Sequence, residues 1–290
     1  MSALRAHAIP KRDIQFDLSG IDLRHWHPGG PQSSHYFNVQ SLLFPQGERF
    51  FIRSVRHFRD GIRDPALQQQ VAGFIAQEAM HGREHDAYNA ALRDIGYPVE
   101  RMERWVAFML WFADKTMTAK DQLAMTVSLE HLTAIGAEDL LADDRILEGA
   151  DPRMARLWRW HAMEETEHKA VAFDVYRDVA GTGFTAWLRR CFIMLTVSLS
   201  MQSMIWAFML MVTIRDRSIF SLSGWGRLFW SLWVTPGALR RQVPRYWQYF
   251  KPGFHPWQID NYQQIERWRS DYVDDEAGSV PADAASAQAA

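Results

Sequence analysis

From Val39 to Gly181 apolar residues recur at three- and four-residue spacing, and the runs are punctuated by Asp-Pro and Gly-Tyr-Pro. That period predicts helices. The first runs from near Val39 to about Phe58, with Pro45 marking a kink or the true start. Asp64 is placed to cap the next, with Pro65 at its first position, and Gly96-Tyr97-Pro98 stops it. A short helix from Val99 to about Asp114 is dense in Trp, Phe and Met. Another opens at Thr118 or a neighbour and fades by Asp144; the last, capped by Asp151, ends at Gly181. No period-2 run with hairpin turns is sustained, so the fold class is all-α.

The flanks read differently. Residues 1–38, rich in Pro, Gly and His, form an irregular arm before a helical body at 39–182. Residues 183–250 form an additional hydrophobic helical region. Within it, residues 191–214 hold no charge across 24 positions, and Arg189, Arg190, Arg215 and Arg217 flank the run. As a helix this is about 36 Å long, enough to cross a bilayer. The Trp-rich stretch from Ile219 to Val234, interrupted by Gly224, Gly226 and Arg227, is re-entrant, interfacial or packed on the body. A buried helix or an oligomer interface explains both runs equally well. Residues 277–290 read as a disordered tail.

Composition narrows the chemistry. The chain has 290 residues, 48% of them hydrophobic, enough for a sizeable core. Its net charge of −2 gives no argument for nucleic acid. Cys191 is the single cysteine, which excludes an intrachain disulfide framework and makes thiolate metal sites implausible. The N-terminus lacks an apolar signal region, so the expected place is the cytoplasm, with attachment to the inner membrane if the apolar helices engage it.

Two Glu-x-x-His pairs carry the candidate chemistry: Glu78 with His81, and Glu165 with His168. Residues three apart share a helix face, so each pair can aim a carboxylate and an imidazole at one ion. A lone pair of this kind means little. Here Glu78 and Glu165 both follow a proline (Pro65, Pro152) by thirteen residues, and each pair has an upstream glutamate in an apolar stretch, Glu48 and Glu130. Glu…Glu-x-x-His written twice is the ligand set of a carboxylate-bridged two-metal site inside a four-helix bundle. The spacing assigns Glu48, Glu78 and His81 to one metal and Glu130, Glu165 and His168 to the other, with Glu78 and Glu165 bridging. Two ions, Fe(II)/Fe(III) or alternatively Mn or Zn, suit such nitrogen and oxygen donors.

Further histidines share these faces. His161, four before Glu165, is either a third imidazole ligand or a hydrogen-bonding neighbour, and His85, four after His81, reads as a neighbour that orients a ligand. Glu164 and Glu167 compete with Glu165, which alone has the three-residue spacing to His168. Tyr88 reads as a packed aromatic; Glu84, His131 and Glu138 read as salt-bridged or supporting groups. His25, His27 and His35 carry no separate metal site.

With these residues the chain resembles the ferritin-like di-iron carboxylate superfamily. The stretches FPQGERFFIRSVRHF, QEAMHGREH, SLEHLTA and WHAMEETEHKA are similar to those of the bacterial family catalogued as predicted metal-dependent hydrolases. The spacing of His161, Glu165 and His168 also resembles arylamine N-oxygenases, which use an extra histidine ligand. The resemblance implies a ferritin-like four-helix bundle over about residues 40–180. The leading expectation is an O2-activating di-iron oxygenase or oxidase acting on a small apolar substrate, with an external electron donor. The alternative is a two-metal hydrolase. Iron storage fits the long apolar C-terminal region poorly. No catalytic residue beyond the ligands, and no oligomeric state, is assigned.

Overall fold

The computed structural model describes residues 9–278; residues 1–8 of the arm, and the expected tail at 277–290 apart from its first two residues, lie outside them. Every regular element among the described residues is helical: α1 Pro31–Ser41, α2 Phe44–Arg56, α3 Pro65–Asp94, α4 Val99–Thr116, α5 Ala119–Ala142, α6 Pro152–His168, α7 Val171–Ala180, α8 Phe184–Arg215, α9 Leu222–Trp233, α10 Ala238–Gln248 and α11 Tyr262–Gly278.

Local chemistry sets the helix starts. The Asp64 carboxylate accepts from the Ala66 amide with Pro65 in the first turn, and Asp151 does the same for Arg153 behind Pro152. Thr118 and Asp121 satisfy each other's backbone amides in a capping box. Each such cap contributes about 1 kcal/mol. Gly96, at φ 91°, provides the left-handed residue after α3.

Two boundaries depart from the periodic pattern. The arm contains a helix, α1, whose buried positions are mostly polar: Gln32, Ser33, Ser34, His35 and Asn38. A helix buried through polar side chains has no apolar period to detect. The helix of the second pair does not run to Gly181 but stops at His168, and α7 restarts at Val171. At the turn the Lys169 ammonium is drawn aside to the Ile259 carbonyl (2.7 Å) and Asn261 Oδ1 (2.6 Å), against the Trp257 ring. A long-range anchor of this kind leaves no trace in local spacing.

α2 packs on α3 and α5 on α6, and contacts between α2 and α5 and between α3 and α6 close a ring of four. Hydrophobic burial is divided along it. One apolar cluster gathers Tyr88 and Leu92 of α3, Leu140 and Leu141 of α5, Leu157 and Trp160 of α6 and Phe208 of α8. A second gathers Phe50 of α2, Val71 and Phe74 of α3, Leu123 and Val127 of α5, Val175 of α7 and Met194 of α8. Between these clusters, α2, α3, α5 and α6 present Glu48, Glu78, His81, Glu130, Glu165 and His168, all buried.

α8 carries the apolar run expected at 191–214. It is long and apolar enough to cross a membrane by length and composition, with a mean hydropathy of 1.6 in its most apolar stretch. One face packs along α5 and α1, and only 33% of that stretch is buried. α9 packs against α1 and α10. It approaches α1 at Gly224, where a Cβ would lie 1.9 Å from Gln32 Oε1.

Candidate metal centre

The seven residues read as ligands, and His85, converge between the two apolar clusters. Glu78, His81, Glu165 and His168 form one tight group, with donor atoms within 4.8 Å of one another; Glu48, His85 and His161 form a second. Glu165 joins them. Its Oε1 lies 3.4 Å from His161 Nε2, 3.5 Å from His81 Nδ1 and 3.8 Å from His168 Nε2. The grouping departs from the partition drawn from spacing, which split Glu78 and His81 from Glu165 and His168. Spacing fixes which residues share a helix face, but not which faces meet across the ring. Glu130 stands outside both groups, with Oε2 3.1 Å from His168 Nδ1.

Hydrogen bonding fixes which imidazole atoms remain as donors. His81 Nε2 donates to Glu164 Oε2 at 3.0 Å, leaving Nδ1. His168 Nδ1 donates to Glu130, leaving Nε2. For His161 the direction follows from a chain. The Ser41 hydroxyl donates to Asn89 Oδ1, whose orientation is set by Asn89 Nδ2 donating to the Ser41 carbonyl. Ser41 Oγ therefore accepts from His85 Nδ1 (2.9 Å), and His85 Nε2 accepts from His161 Nδ1 (3.0 Å). His161 Nε2 keeps its lone pair. The three atoms left over make no hydrogen bond. His85 has both nitrogens engaged and acts by orienting His161.

Nine buried atoms here lack a hydrogen bond: both carboxylate oxygens of Glu48 and of Glu78, Glu130 Oε1, Glu165 Oε2, His81 Nδ1, His161 Nε2 and His168 Nε2. Leaving one buried polar group unsatisfied costs about 1–3 kcal/mol, more if charged, so such a cluster calls for a complement. All nine are oxygen or nitrogen, and Cys191, on α8, belongs to neither group of candidate ligands. This donor set fits divalent first-row cations. Gly82 makes room for Glu48 against α3, since a Cβ there would sit 3.2 Å from Glu48 Oε2.

Electrostatics agree with that fit. Burial, then the carboxylates of Glu130 and Glu165, push the Glu78 carboxyl well above its ordinary range. Burial does the same to Glu48 and raises Glu130 to about 7. Burial also works to raise Glu165, but the imidazoles of His168, His81 and His161 outweigh it and hold the group low. His81 is raised to about 10: burial opposes this, and the hydrogen bond to Glu164 and the nearby Glu165 carboxylate prevail. His161 is pushed down to about 3 by burial and by His81. As bare side chains the cluster competes for protons at the positions where cations would bind.

Sequence reasoning missed the support around these groups. Arg12, from the arm, is buried and donates to Glu164 Oε1 at 2.9 Å and to both oxygens of Glu167 at 2.8 and 2.9 Å. Glu164 thus links Arg12 to His81. Gln77 and Arg269 complete the shell of Glu167. Glu164 and Glu167, weighed as rivals of Glu165, are its neighbours' partners instead. Glu84 pairs with Arg83, Glu138 with Arg245, and His131 Nε2 meets the Arg245 carbonyl. Tyr88 packs in the first apolar cluster and donates to Asn38 Oδ1 at 2.5 Å. His35 pairs with Asp216 and His27 with the Ile146 carbonyl, away from the centre.

A cavity of about 480 Å3 leads to the centre. Of the eight residues only Glu48, His161 and Glu165 line it; the rest of its wall is largely apolar and comes chiefly from α1, α2, α4, α5, α8 and α9. No curated protein and no solved structure matches the chain. One family model does, over residues 10–260, and it spans the arm, the ring and α8 to α10. The chain belongs to the family of predicted metal-dependent hydrolases.

Proposed function

We propose that this chain is a dinuclear metal enzyme acting on a substrate with a long apolar portion, with hydrolysis of an acyl bond as the first reading. The observation that carries it is the convergence of nine buried donor atoms without hydrogen bonds at the inner end of an apolar cavity. The family description supports hydrolysis in particular. Glu78, His81, Glu165 and His168 would hold one ion, and Glu48 and His161 would hold the other with Glu165 between them. Bound divalent ions supply Lewis acidity at the substrate oxygen.

The residues divide the remaining work. The apolar wall of α4 and α8 excludes bulk water and holds the substrate's chain. Glu48 faces the cavity, and burial pushes its carboxyl above the ordinary carboxylate range, so it takes up a proton more readily than an exposed glutamate does. In a hydrolytic cycle water adds to the acyl carbon, Glu48 takes the proton released, and that proton passes to the departing oxygen. Arg12, Glu164, His85 and Ser41 keep the imidazoles in one tautomer and orientation.

A second reading, O2-dependent oxidation by a di-iron form, is supported by the four carboxylates and three sulfur-free imidazole donors in a ring of four helices. The same ring supports reading the fold as ferritin-like. This chemistry also requires an external electron donor. The test begins with anaerobic titration by Zn(II), Mn(II) and Fe(II), followed by parallel assays of ester cleavage and O2 uptake across a chain-length series. Two ions per chain and O2-independent cleavage of long-chain esters support hydrolysis. Iron-dependent O2 uptake with a change in visible absorption, and no cleavage, transfers the site to oxidation. Failure to bind two ions of any of these metals sinks both readings.

A further inference from the structure

The outer flank of the cavity is apolar where a soluble protein is expected to be polar. On α4, Trp105, Phe108, Trp111 and Phe112 are each more than half exposed, on one helical face. On α8, Phe192, Leu195, Leu199, Trp206, Leu210 and Ile214 are exposed at spacings of three, four and seven residues, a stripe along the helix interrupted by Gln202 and Ser203. α9 adds Phe229, Trp230 and Trp233. Contiguous exposed apolar surface of this extent marks an interaction site.

Charge identifies what covers it. From residue 184 to 248 the chain carries eight arginines against a single acidic residue, Asp216; Arg190 is buried and Arg189, Arg241 and Arg245 pair with Asp121, Asp139, Asp143 and Glu138, which leaves Arg215, Arg217, Arg227 and Arg240 exposed. On α4, exposed Arg101, Arg104 and Lys115 bracket the aromatic face; the exposed acids of this helix, Glu100 and Asp114, are paired with Arg93 and Arg53. Apolar stripes with Trp, bordered by Arg and Lys, match the boundary between acyl chains and anionic headgroups.

Packing excludes a spanning orientation. The second face of α8 is buried against α5 and α1 along its length, and Arg190 within it donates to the Tyr249 and Lys251 carbonyls. Carrying α8 across a bilayer would take α5, with Asp121, Glu138 and Asp139, into hydrocarbon, where each charge is costly. The helix therefore lies in the plane of the interface.

The cavity opens on this same flank. α4 packs on α2 and α3, while α8 packs on α5 and α1, and the cavity runs between them. Its exposed lining residues are Phe112 and Thr116 of α4 and Thr196 of α8. We propose that α4, α8 and α9 seat the protein on an anionic bilayer as a one-sided membrane protein, and that the cleft between α4 and α8 admits a lipid acyl chain directly to the metal centre. The second half of this statement rests on the reading of the centre as an enzyme site; the first does not.

The test is flotation of the full chain, metal-free and metal-loaded, with phosphatidylcholine vesicles containing or lacking phosphatidylglycerol, together with tryptophan quenching by lipids brominated at graded depths. The expected result is binding to the anionic vesicles in both metal states, weakened by salt, with quenching strongest just below the headgroups. Phe112→Glu combined with Leu199→Glu should lower vesicle affinity at least tenfold while leaving thermal stability and metal stoichiometry unchanged. Arg217→Gln with Arg240→Gln should lower it about fivefold per arginine on anionic vesicles only. A chain that stays soluble without binding either vesicle overturns the proposal. So does a stable dimer that shields Trp111 in place of lipid, or quenching strongest at the bilayer centre. Vesicle binding without lipid turnover would overturn the acyl-chain delivery alone.

Discussion

The ring of α2, α3, α5 and α6 and the flank of α4, α8 and α9 invert the usual partition of a folded chain in opposite directions. At the ring's centre Glu48, Glu78 and Glu130 keep buried oxygens without hydrogen bonds. On the flank Trp105, Phe108 and Leu199 face outward. Polar groups inside and large apolar groups outside both cost free energy in water, the first by lost hydration and the second by ordered solvent. Neither region is complete as protein alone. On the reading proposed above, cations complement the centre and hydrocarbon the flank, and the cavity joins the two. The comparison separates stability from function, because the residues that make each region useful are those that leave it unsatisfied.

The strongest way to break the centre without touching a donor atom is Arg12→Met. The change leaves Glu164 and Glu167 buried without their shared cation, which costs about 3–5 kcal/mol. It also frees Glu164 from its constraint on His81, and loss of such an outer partner lowers metal affinity about 10- to 100-fold. Chemical denaturation and metal titration measure the two effects. Unchanged metal affinity in a folded variant would detach the arm from the centre.

Metal itself gives the next largest effect. A divalent ion at a hundred times its Kd stabilises the folded chain by about 2.7 kcal/mol per site. For a chain of this size that is a rise in Tm of roughly 5–10 °C. The pH dependence follows from the raised carboxyls. Glu130, near 7 in the fold against 4.5 as a free side chain, binds more protons folded than unfolded across that window. The metal-free protein therefore loses stability from this group as pH rises from about 4.5 to 7. The carboxyls of Glu48 and Glu78, which would hold the ions, are raised by burial as well, and ions must displace their protons, so the metal-induced rise in Tm is larger at pH 8 than at pH 6. Differential scanning fluorimetry at both values, with and without Mn(II), checks the sign. An equal or smaller shift at pH 8 counts against carboxylate ligation.

Glu78→Met sharpens the contrast between stability and function. Glu78 is fully buried beside other carboxylates, and neither of its oxygens has a hydrogen bond. Replacing it by an apolar side chain of similar length relieves that burden and should stabilise the metal-free protein by about 1–3 kcal/mol. The same change should halve the metal stoichiometry. A variant that loses both stability and metal would mean that Glu78 supports the fold through His168, 3.2 Å away.

What the sequence made legible was whatever is written locally. Asp64-Pro65, Thr118 and Asp151-Pro152 place helix starts within a residue of the observed ones, because caps act over three or four residues. Both Glu-x-x-His pairs could be seen for the same reason. The grouping around Glu165 was not legible, since the meeting of faces depends on packing across the ring. Arg12 was not either: it reaches Glu164 across 152 residues of sequence from an arm with no periodic signal. α1 was hidden by its polar burial. The apolar run at 191–214 was plain, but that one of its faces belongs to α5 and α1 is decided by tertiary contacts.

The smallest predicted effect probes the closest fit in the centre. Gly82 lies within α3, where glycine costs about 1 kcal/mol relative to alanine. Helix propensity alone predicts that Gly82→Ala stabilises the protein by about that amount. The new methyl would sit 3.2 Å from Glu48 Oε2, so the carboxylate must give by a few tenths of an ångström. Glu48 lines the cavity, and a shift of that size is small for folding but large for a metal ligand, whose distances are set to about 0.2 Å. The expected variant is slightly more stable without metal and binds its second ion more weakly. Calorimetric titration beside thermal melts resolves the two. If stability rises and both ions bind as before, the glycine serves only the helix, and Glu48 has more freedom than its packing implies.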